Sequence, residues 1–593
     1  MAPSGGCSAS EVGARGRHST YAAAIACACA CALAGAGVPA SAQEGLGLGQ
    51  YGPSVVPLGR AAVGQTISRV DVRVATTSGD RARDAAALRV ARAATGALVG
   101  REYRPVLVDT ALGRLVADGT ARAVSHRPAY EGARDALGII VTLDLAPAPP
   151  SEDREAAPGF PVIYQDDRSK LTFILNTGVG VYSDSNAWFG APALFNGSNP
   201  LAGDLPGSGS TWAEGYLEFG IGGATRLGET DYYLFGAASG LFSASRGQDI
   251  FRDDGRDFLH PDKGYVGLLY ADPETGDTAQ LSFGRQTWTL NNGFLISMVA
   301  GSSNAGERGA TYLGPRNTTD FSALFTGEFG RSRVSLFYID PDELEDLESN
   351  TTFAGANLGY EFTDAFTMDA SVITIPTSDS SYRTPGGAAL PREGTTTWGV
   401  HGLYRPTTPD HVWLEGEAYY QTNDAYDMSA HAYYGTIGHI WKSAPWSPSL
   451  SYRFASFSGD DPDTDRFERF DSMMSTGLGN WLQGVSFGKV YRNGNLNTHR
   501  IQANLSPREG MNLTFTWHRL RADEFNNIGG NPALSTLTSR DLGEEFTATL
   551  RWALDRNRYL QVVASHARPG KALKRIGADD PWTTLQASLY ISF

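Results

Sequence analysis

What this sequence lacks narrows the choices before any motif is read. All four cysteines, Cys7, Cys27, Cys29 and Cys31, fall near the N-terminus. A chain cut after Ala42 therefore holds no thiol, which excludes disulfides and cysteine-ligated metals. Beyond the N-terminus no stretch approaches the roughly 20 apolar residues of a spanning helix, so a helical membrane protein is excluded. Positive charge is in deficit: 49 basic against 64 acidic residues give a net charge of −15 over 593 residues. That balance argues against nucleic acid as a partner. Lysine is especially scarce, with six among the basic residues. Catalytic signatures are missing as well: there is no G-x-S-x-G elbow and no H-E-x-x-H, and the ten histidines are scattered. The stretch GLGQYG (47–52) fits G-x-G-x-x-G but follows no strand and opens no helix, so it is a chance match. Neither an enzyme nor a cofactor is expected.

What is present begins with an export signal. Arg15, Arg17 and His18 precede the apolar run YAAAIACACACALAGAG, and Ala40-Ser41-Ala42 offers a small-x-small cut before Gln43. Residues 1–42 therefore read as a signal peptide and 43–65 as a flexible segment. Residues 66–146 read as a small α+β domain. TISRVDVRVAT is a strand. RARDAAALRVARAATG places Ala86, Val90 and Ala93 at helical spacing, and YRPVLVDTALGRLVADG does the same for Val108, Leu112 and Leu115. ARAVSH and GIIVTLDLA close the unit. This β-α-α-β-β order, with Gly100 and Tyr103 between the helices, resembles a POTRA domain. The resemblance implies a periplasmic module that binds a partner chain along an open sheet edge. The proline-rich, charged stretch 147–169 reads as a linker.

From 170 to 593 the helix signal disappears and strict alternation takes over. WAEGYLEFGIG sets Leu217, Phe219 and Ile221 against Glu214, Tyr216 and Glu218. HRIQANL, MNLTFTWH and EFTATLRW repeat the pattern. The last strand, LQASLYISF, sets Leu585, Ala587, Leu589, Ile591 and Phe593 on one parity. A period of two is a strand with two unlike faces. One face here carries Arg, Glu, Gln and Thr over hundreds of residues, while the other is apolar and often ends in an aromatic residue. That is the pattern of a transmembrane β-barrel with a polar lumen, and about eighteen strands of roughly ten residues fit the segment. Short links (227–231, 330–332, 506–510) alternate with long ones (184–210, 244–262, 340–350, 376–394, 457–482, 521–542), as one periplasmic and one extracellular rim require. FLISMVAG (294–301) reads equally as strand or loop. The apolar stripe ending in Leu589, Ile591 and Phe593 is predicted to face lipid and to serve the barrel-assembly machinery.

Three stretches carry a further resemblance: SYRFASFSGDDPDTDRFERFD, GNLNTHRIQANLSPREGMNLTFTWHRLRADE and GEEFTATLRWALDRNRYLQVVASHARPGKAL. With FGRQTW earlier, their order resembles the alginate-export family of outer-membrane barrels, most clearly over 449–573. The resemblance implies a conduit for an anionic polysaccharide or other polar solute, coupled to an export complex. An N-terminal POTRA-like domain departs from that family's plan and leaves the cargo open. Lumen candidates by parity or family position are Arg285, Arg453, Arg500, Arg551, Glu545 and His518. Arginine suits a carboxylated polymer because its planar fork binds carboxylates through paired hydrogen bonds. Arg285 shares parity with Leu281 and Phe283, so a bulge or strand end must turn it inward. Glu214, Glu218, Glu415 and Glu417 also point inward, so the pattern does not dictate anion preference. The acidic loops DPDELEDLESN and SGDDPDTDRFERFD lack the calcium-loop spacing and read as solvated. Two other functions fit the same pattern: a polypeptide-secretion barrel using the POTRA-like domain, although no V-R-G-F-like loop is present, and a scaffold barrel plugged by 184–210 or 521–542.

Overall fold

The computed structural model describes most of residues 67–145 and 161–593. Within those ranges it leaves aside 100–102, 104–107, 109–111, 117–119, 131–136, 197–203, 273–274, 301–306, 346–347, 476–482, 526–533, 535–537 and a few single positions. The predicted signal peptide and flexible segment lie outside the described residues.

In the small N-terminal domain, strand β1 (Ile67–Thr76) leads into helix α1 (Arg81–Gly96), and strands β2 (Ala123–Tyr130) and β3 (Leu137–Asp144) complete a sheet of order β1-β3-β2. β1 runs parallel to β3 and β2 antiparallel to it, so β1 and β2 are edges. The parallel pair requires a crossover, which α1 and the helical positions around Val108, Leu112 and Leu115 supply. Those three residues bury with Ile67, Val72, Ile139, Val141 and Leu143 in one core. The expected face of α1 is wrong. Val90 is 45% exposed, whereas Ala87 and Ala91 are 6% and 0% exposed. Alanine lies on every side of this helix, so spacing does not select a face; the sheet takes the one that lets the backbones approach closest.

The rest of the described chain is a barrel. A short strand β4 (Val162–Gln165) precedes β5 (Ser169–Ser185), β6 (Ser210–Arg226), β7 (Tyr232–Gln248), β8 (Arg256–Ala271) and β9 (Thr278–Arg285). Then come β10 (Thr319–Phe329), β11 (Ser332–Pro341), β12 (Phe353–Thr363) and β13 (Phe366–Thr374), followed by a small hairpin, β14 (Ser381–Arg383) with β15 (Ala389–Pro391). β16 (Thr395–Tyr404), β17 (Asp410–Asn423), β18 (Ala430–Trp441), β19 (Ser449–Phe457) and β20 (Leu496–Leu505) lead on to β21 (Met511–Arg521), β22 (Asp541–Ala553), β23 (Arg558–Pro569) and β24 (Trp582–Ser592). β24 pairs with β5 from Thr583–Ser185 to Ser592–Asn176, which closes a ring of 18 antiparallel strands. Closure matters because an open edge in lipid leaves backbone groups unpaired at several kcal/mol each. β4 is appended to the start of β5, so the predicted linker ends before Val162 rather than at 169.

No link on one rim exceeds seven residues and most on the other exceed ten, which orients the barrel with its short turns toward the periplasm. One long link was not anticipated: 286–318, between β9 and β10. FLISMVAG lies inside it and is not a wall strand: its two isolated bridges, Ile296 to Met474 and Ala300 to Asp342, join it to another loop and to the residue that follows β11. The predicted link at 244–262 is shorter, because β7 runs to Gln248 and β8 begins at Arg256.

The outward face is apolar in height order. From long-loop end to short-turn end, the exposed outward residues run Trp398, Val400, Tyr404 on β16 and Tyr433, Ile437, Trp441 on β18, while β17 carries Tyr420 and then Leu414. These are two aromatic girdles around an aliphatic band. The terminal strand follows the outward parity at Leu585, which is 56% exposed, but Leu589 is covered by its neighbours on β23 and β5 and is only 7% exposed. Ile591 and Phe593 are half-buried, and the Phe593 N–H donates to the Leu175 carbonyl at 3.0 Å. Inward, glycine makes room for aromatic rings. A Cβ on Gly178 would stand 2.2 Å from the Tyr216 ring, which lies flat along the wall.

Candidate functional site: the lumen wall and the loops against it

Alternation sends every second side chain of β17–β22 inward, and the register lines them into rows. One row runs Glu415, Thr436, Arg453, Arg500, His518 and Glu545, each the cross-strand partner of the next. Arg453, Arg500 and His518 are 5%, 6% and 6% exposed, so three nitrogen-bearing side chains sit together on three adjacent strands. Arg453 donates from Nε to Thr436 Oγ1 at 2.8 Å and lies 4.9 Å over the Tyr434 ring; its Nη2 is 3.9 Å from Glu415.

The other candidates lie elsewhere. Arg551 is also inward but six residues from Glu545 along β22, roughly 20 Å nearer the short turns, where Asn512 and Gln561 flank it. Arg285 ends β9 at the long-loop rim. It pairs with Asp320, approaches Asp342 at 3.5 Å and donates from Nε to the Asp262 carbonyl at 3.2 Å. The turn comes from Gly284, at φ +116, where a Cβ would meet the Gly264 carbonyl at 2.2 Å.

The inward carboxylates hold loops. Glu545 is fully buried and accepts backbone N–H bonds from Val485 at 2.5 Å, Ser486 at 3.1 Å and Phe487 at 3.1 Å. Those groups open the short helix α2 (Phe487–Val490), where free N–H donors await an anion. Glu214, four strands round the ring on β6, accepts the N–H groups of Tyr312 and Leu313 at 2.8 and 3.0 Å. Glu415 and Glu417 take the side-chain amides of Asn292 at 2.6 Å and Asn291 at 3.2 Å. Glu218 pairs instead with Lys263 on the wall. His401 bridges Asp369 at 3.2 Å and Glu415 at 3.4 Å.

Apolar residues of these loops bury with the wall. Trp188, Phe189 and Phe195 from 186–209, Phe294, Leu295, Ile296, Val299 and Leu313 from 286–318, and Phe467, Phe470, Phe487 and Val490 from 458–495 form one cluster with inward Tyr182, Tyr216 and Tyr419. The loop 458–495 is also clamped from the β14–β15 hairpin. Asp471 accepts Arg392 Nε at 2.7 Å and Nη2 at 3.2 Å, and Tyr382 Oη at 2.7 Å. Burial pushes the Asp471 carboxyl up, but the Arg392 charge and these hydrogen bonds outweigh it and hold it below the usual carboxylate range.

Asn291, Asn292 and Arg392 were not singled out from sequence, and Asp471 was read only as the end of a solvated acidic loop, whereas its side chain is 11% exposed. The one signal for the first pair is the turn dipeptide chemistry of Asn291-Asn292-Gly293, with positive φ at Asn291 and Gly293.

Residues 252–580 match the family model described as Alginate export. The chain belongs to the alginate-export family. The match runs from the β7–β8 link to the β23–β24 link, and so includes the Arg453–Arg500–His518 row and two of the three inward loops, 286–318 and 458–495. Membership and the closed barrel make this an outer-membrane transport channel through which solutes pass. Among solved structures, OccAB1 of Acinetobacter baumannii is similar at 11% identity and TM-score 0.45, covering 71% of this chain and 96% of its own. OccK5 (OpdH) of Pseudomonas aeruginosa is similar at 10% identity and TM-score 0.44, covering 71% and 98%. OprD of Pseudomonas aeruginosa gives 10% and 0.42, covering 71% and 93%. No curated protein sequence matches the chain.

Proposed function

We propose that this family member passes a polar, anionic polysaccharide of the uronate type across the outer membrane, coupled to a periplasmic partner that binds the N-terminal domain. The observation that carries the reading is the row of Arg453, Arg500 and His518 on the inner wall. A carboxylate moving through a confined lumen loses hydration, and fixed guanidinium groups offset that loss. The family description, Alginate export, supplies the cargo class. The N-terminal sheet has β1 and β2 as edges, either of which suits addition of a partner strand.

Coupling to a partner has a separate support. Loops 286–318 and 458–495 bury apolar side chains against the inner wall and are tied there by Glu214 and Glu545. A cargo chain passes only when those ties release. The same observation favours a second reading, a barrel that stays filled and acts as a scaffold.

Planar-bilayer conductance of the refolded mature protein separates the two. An open channel blocked by uronate oligomers and not by neutral ones supports the conduit, and Arg500→Ala should weaken the block. Silence in every condition, including after deletion of 43–160, favours the scaffold.

A further inference from the structure

The exterior of the barrel carries a charged patch that solute passage does not use. On β21 the outward residues are Phe515, Trp517, Arg519 and Arg521, while Thr514, His518 and Leu520 are buried inward. The register continues this face across two more strands. Arg519 pairs with Glu544 and Glu544 with Arg568; one step below, Trp517 pairs with Phe546 and Phe546 with His566; below that, Phe515 pairs with Ala548 and Ala548 with Ala564. Descending from the long-loop rim, the outer wall is therefore ionic, then aromatic, then apolar with Phe515 beside two alanines. The ionic row lies about 7 Å above Trp517, at headgroup height rather than among acyl chains.

Its charges do not cancel. Arg519 is bound by Asp541 at 2.7 Å and approaches Glu544 at 3.9 Å, and Arg568 approaches the same Glu544 at 3.7 Å. The Arg519 and Arg568 side chains remain 36% and 59% exposed, and Arg521 is exposed one row higher. Three guanidinium groups thus face two carboxylates. Elsewhere on this rim the exposed Arg246 is matched by its own Asp257 at 2.5 Å. Among the described residues, this unbalanced arginine cluster lies on the outward wall directly above an aromatic row, where outer-leaflet lipid meets the barrel. Arginine binds phosphate through paired hydrogen bonds, and Trp517 and Phe546 give the attached acyl chains an apolar seat.

We propose that the outward face at the long-loop ends of β21–β23 binds the phosphate group of an outer-leaflet glycolipid through Arg519, Arg521 and Arg568. Glu544 sets the strength of this site by neutralising part of its charge.

The test is native mass spectrometry of the full refolded chain in detergent, titrated with a diphosphorylated, acylated diglucosamine lipid and with its dephosphorylated counterpart. The phosphorylated lipid should bind about tenfold more tightly or better, as expected for charge-assisted arginine contacts. Arg519→Gln with Arg568→Gln should abolish that preference, whereas Glu544→Gln should strengthen it. Equal binding of the two lipids, or a preference that survives the double substitution, overturns the proposal. Displacement of the lipid by millimolar inorganic phosphate overturns the lipid assignment in favour of a free-phosphate site. Heat-shifted gel mobility shows whether each variant is folded. If the double variant fails that check, Glu544→Gln and the lipid pair decide the matter, since a structural role for Glu544 predicts no gain.

Discussion

Arg500 stands between Arg453 and His518 in the register of three adjacent strands, and its neighbours decide what it can do. Two guanidinium groups side by side repel each other, and an anion between them relieves the repulsion. Removing Arg500 should therefore weaken block by uronate oligomers severalfold more than removing Arg551, which lies roughly 20 Å away along the wall. Concentration dependence of block in single-channel recordings checks this; equal effects would mean that the lumen acts as a diffuse field without a defined row. Glu545 is the opposite case, a residue whose acceptors are all taken. Glu545→Ala leaves three backbone N–H groups without their acceptor, at about 1–3 kcal/mol each. The variant should open more often and for longer than the parent. Unchanged gating would show that this contact does not restrain loop 458–495.

At the scale of elements, the clamp between the β14–β15 hairpin and loop 458–495 depends on an ionised Asp471. Its folded-state pKa is depressed, so the clamp contributes stability at pH values above the ordinary carboxylate value and loses it as pH falls through the lower folded value. Limited proteolysis of the loop should accelerate below about pH 4 in the parent chain. Asp471→Asn should already be cleaved fast at neutral pH and lack that acid step. Elements also show where periodicity suffices. The parity of β20–β22 assigns Arg500, His518 and Glu545 to the lumen because successive side chains of a strand must point opposite ways. For α1 the same reasoning fails at Ala86, Val90 and Ala93, since an alanine-rich helix offers several equivalent faces and only the sheet beneath it chooses Ala87 and Ala91.

For the whole molecule, closure is the dominant constraint, and it is completed by the last strand. β24 pairs with β23 on one side and β5 on the other, and the Phe593 N–H makes the final bond to Leu175. Deleting Ile591 to Phe593 removes part of this seam. The shortened chain should reach the outer membrane at a fraction of the parent's level, measured as heat-resistant band intensity after cell fractionation. Parent-like levels would show that assembly does not use this end.

The 18-strand barrel, its inward and outward faces and the alternation of its rims follow from a period of two and the lengths of the links, which are local properties of the chain. The destination of the long links does not. Glu214 meets Tyr312 across 98 positions of sequence and Glu545 meets Val485 across 60. No local pattern announces such pairs, because a carboxylate that accepts a backbone N–H demands nothing of the other residue's type. The same holds for Glu415 and Glu417, which parity correctly turns inward but which hold Asn292 and Asn291 rather than a free cargo. Sequence alone thus determined the wall and the sign of the residues along it. Only closure of the ring decided which of them remain available to a solute, by bringing distant loops within hydrogen-bond reach of buried charge.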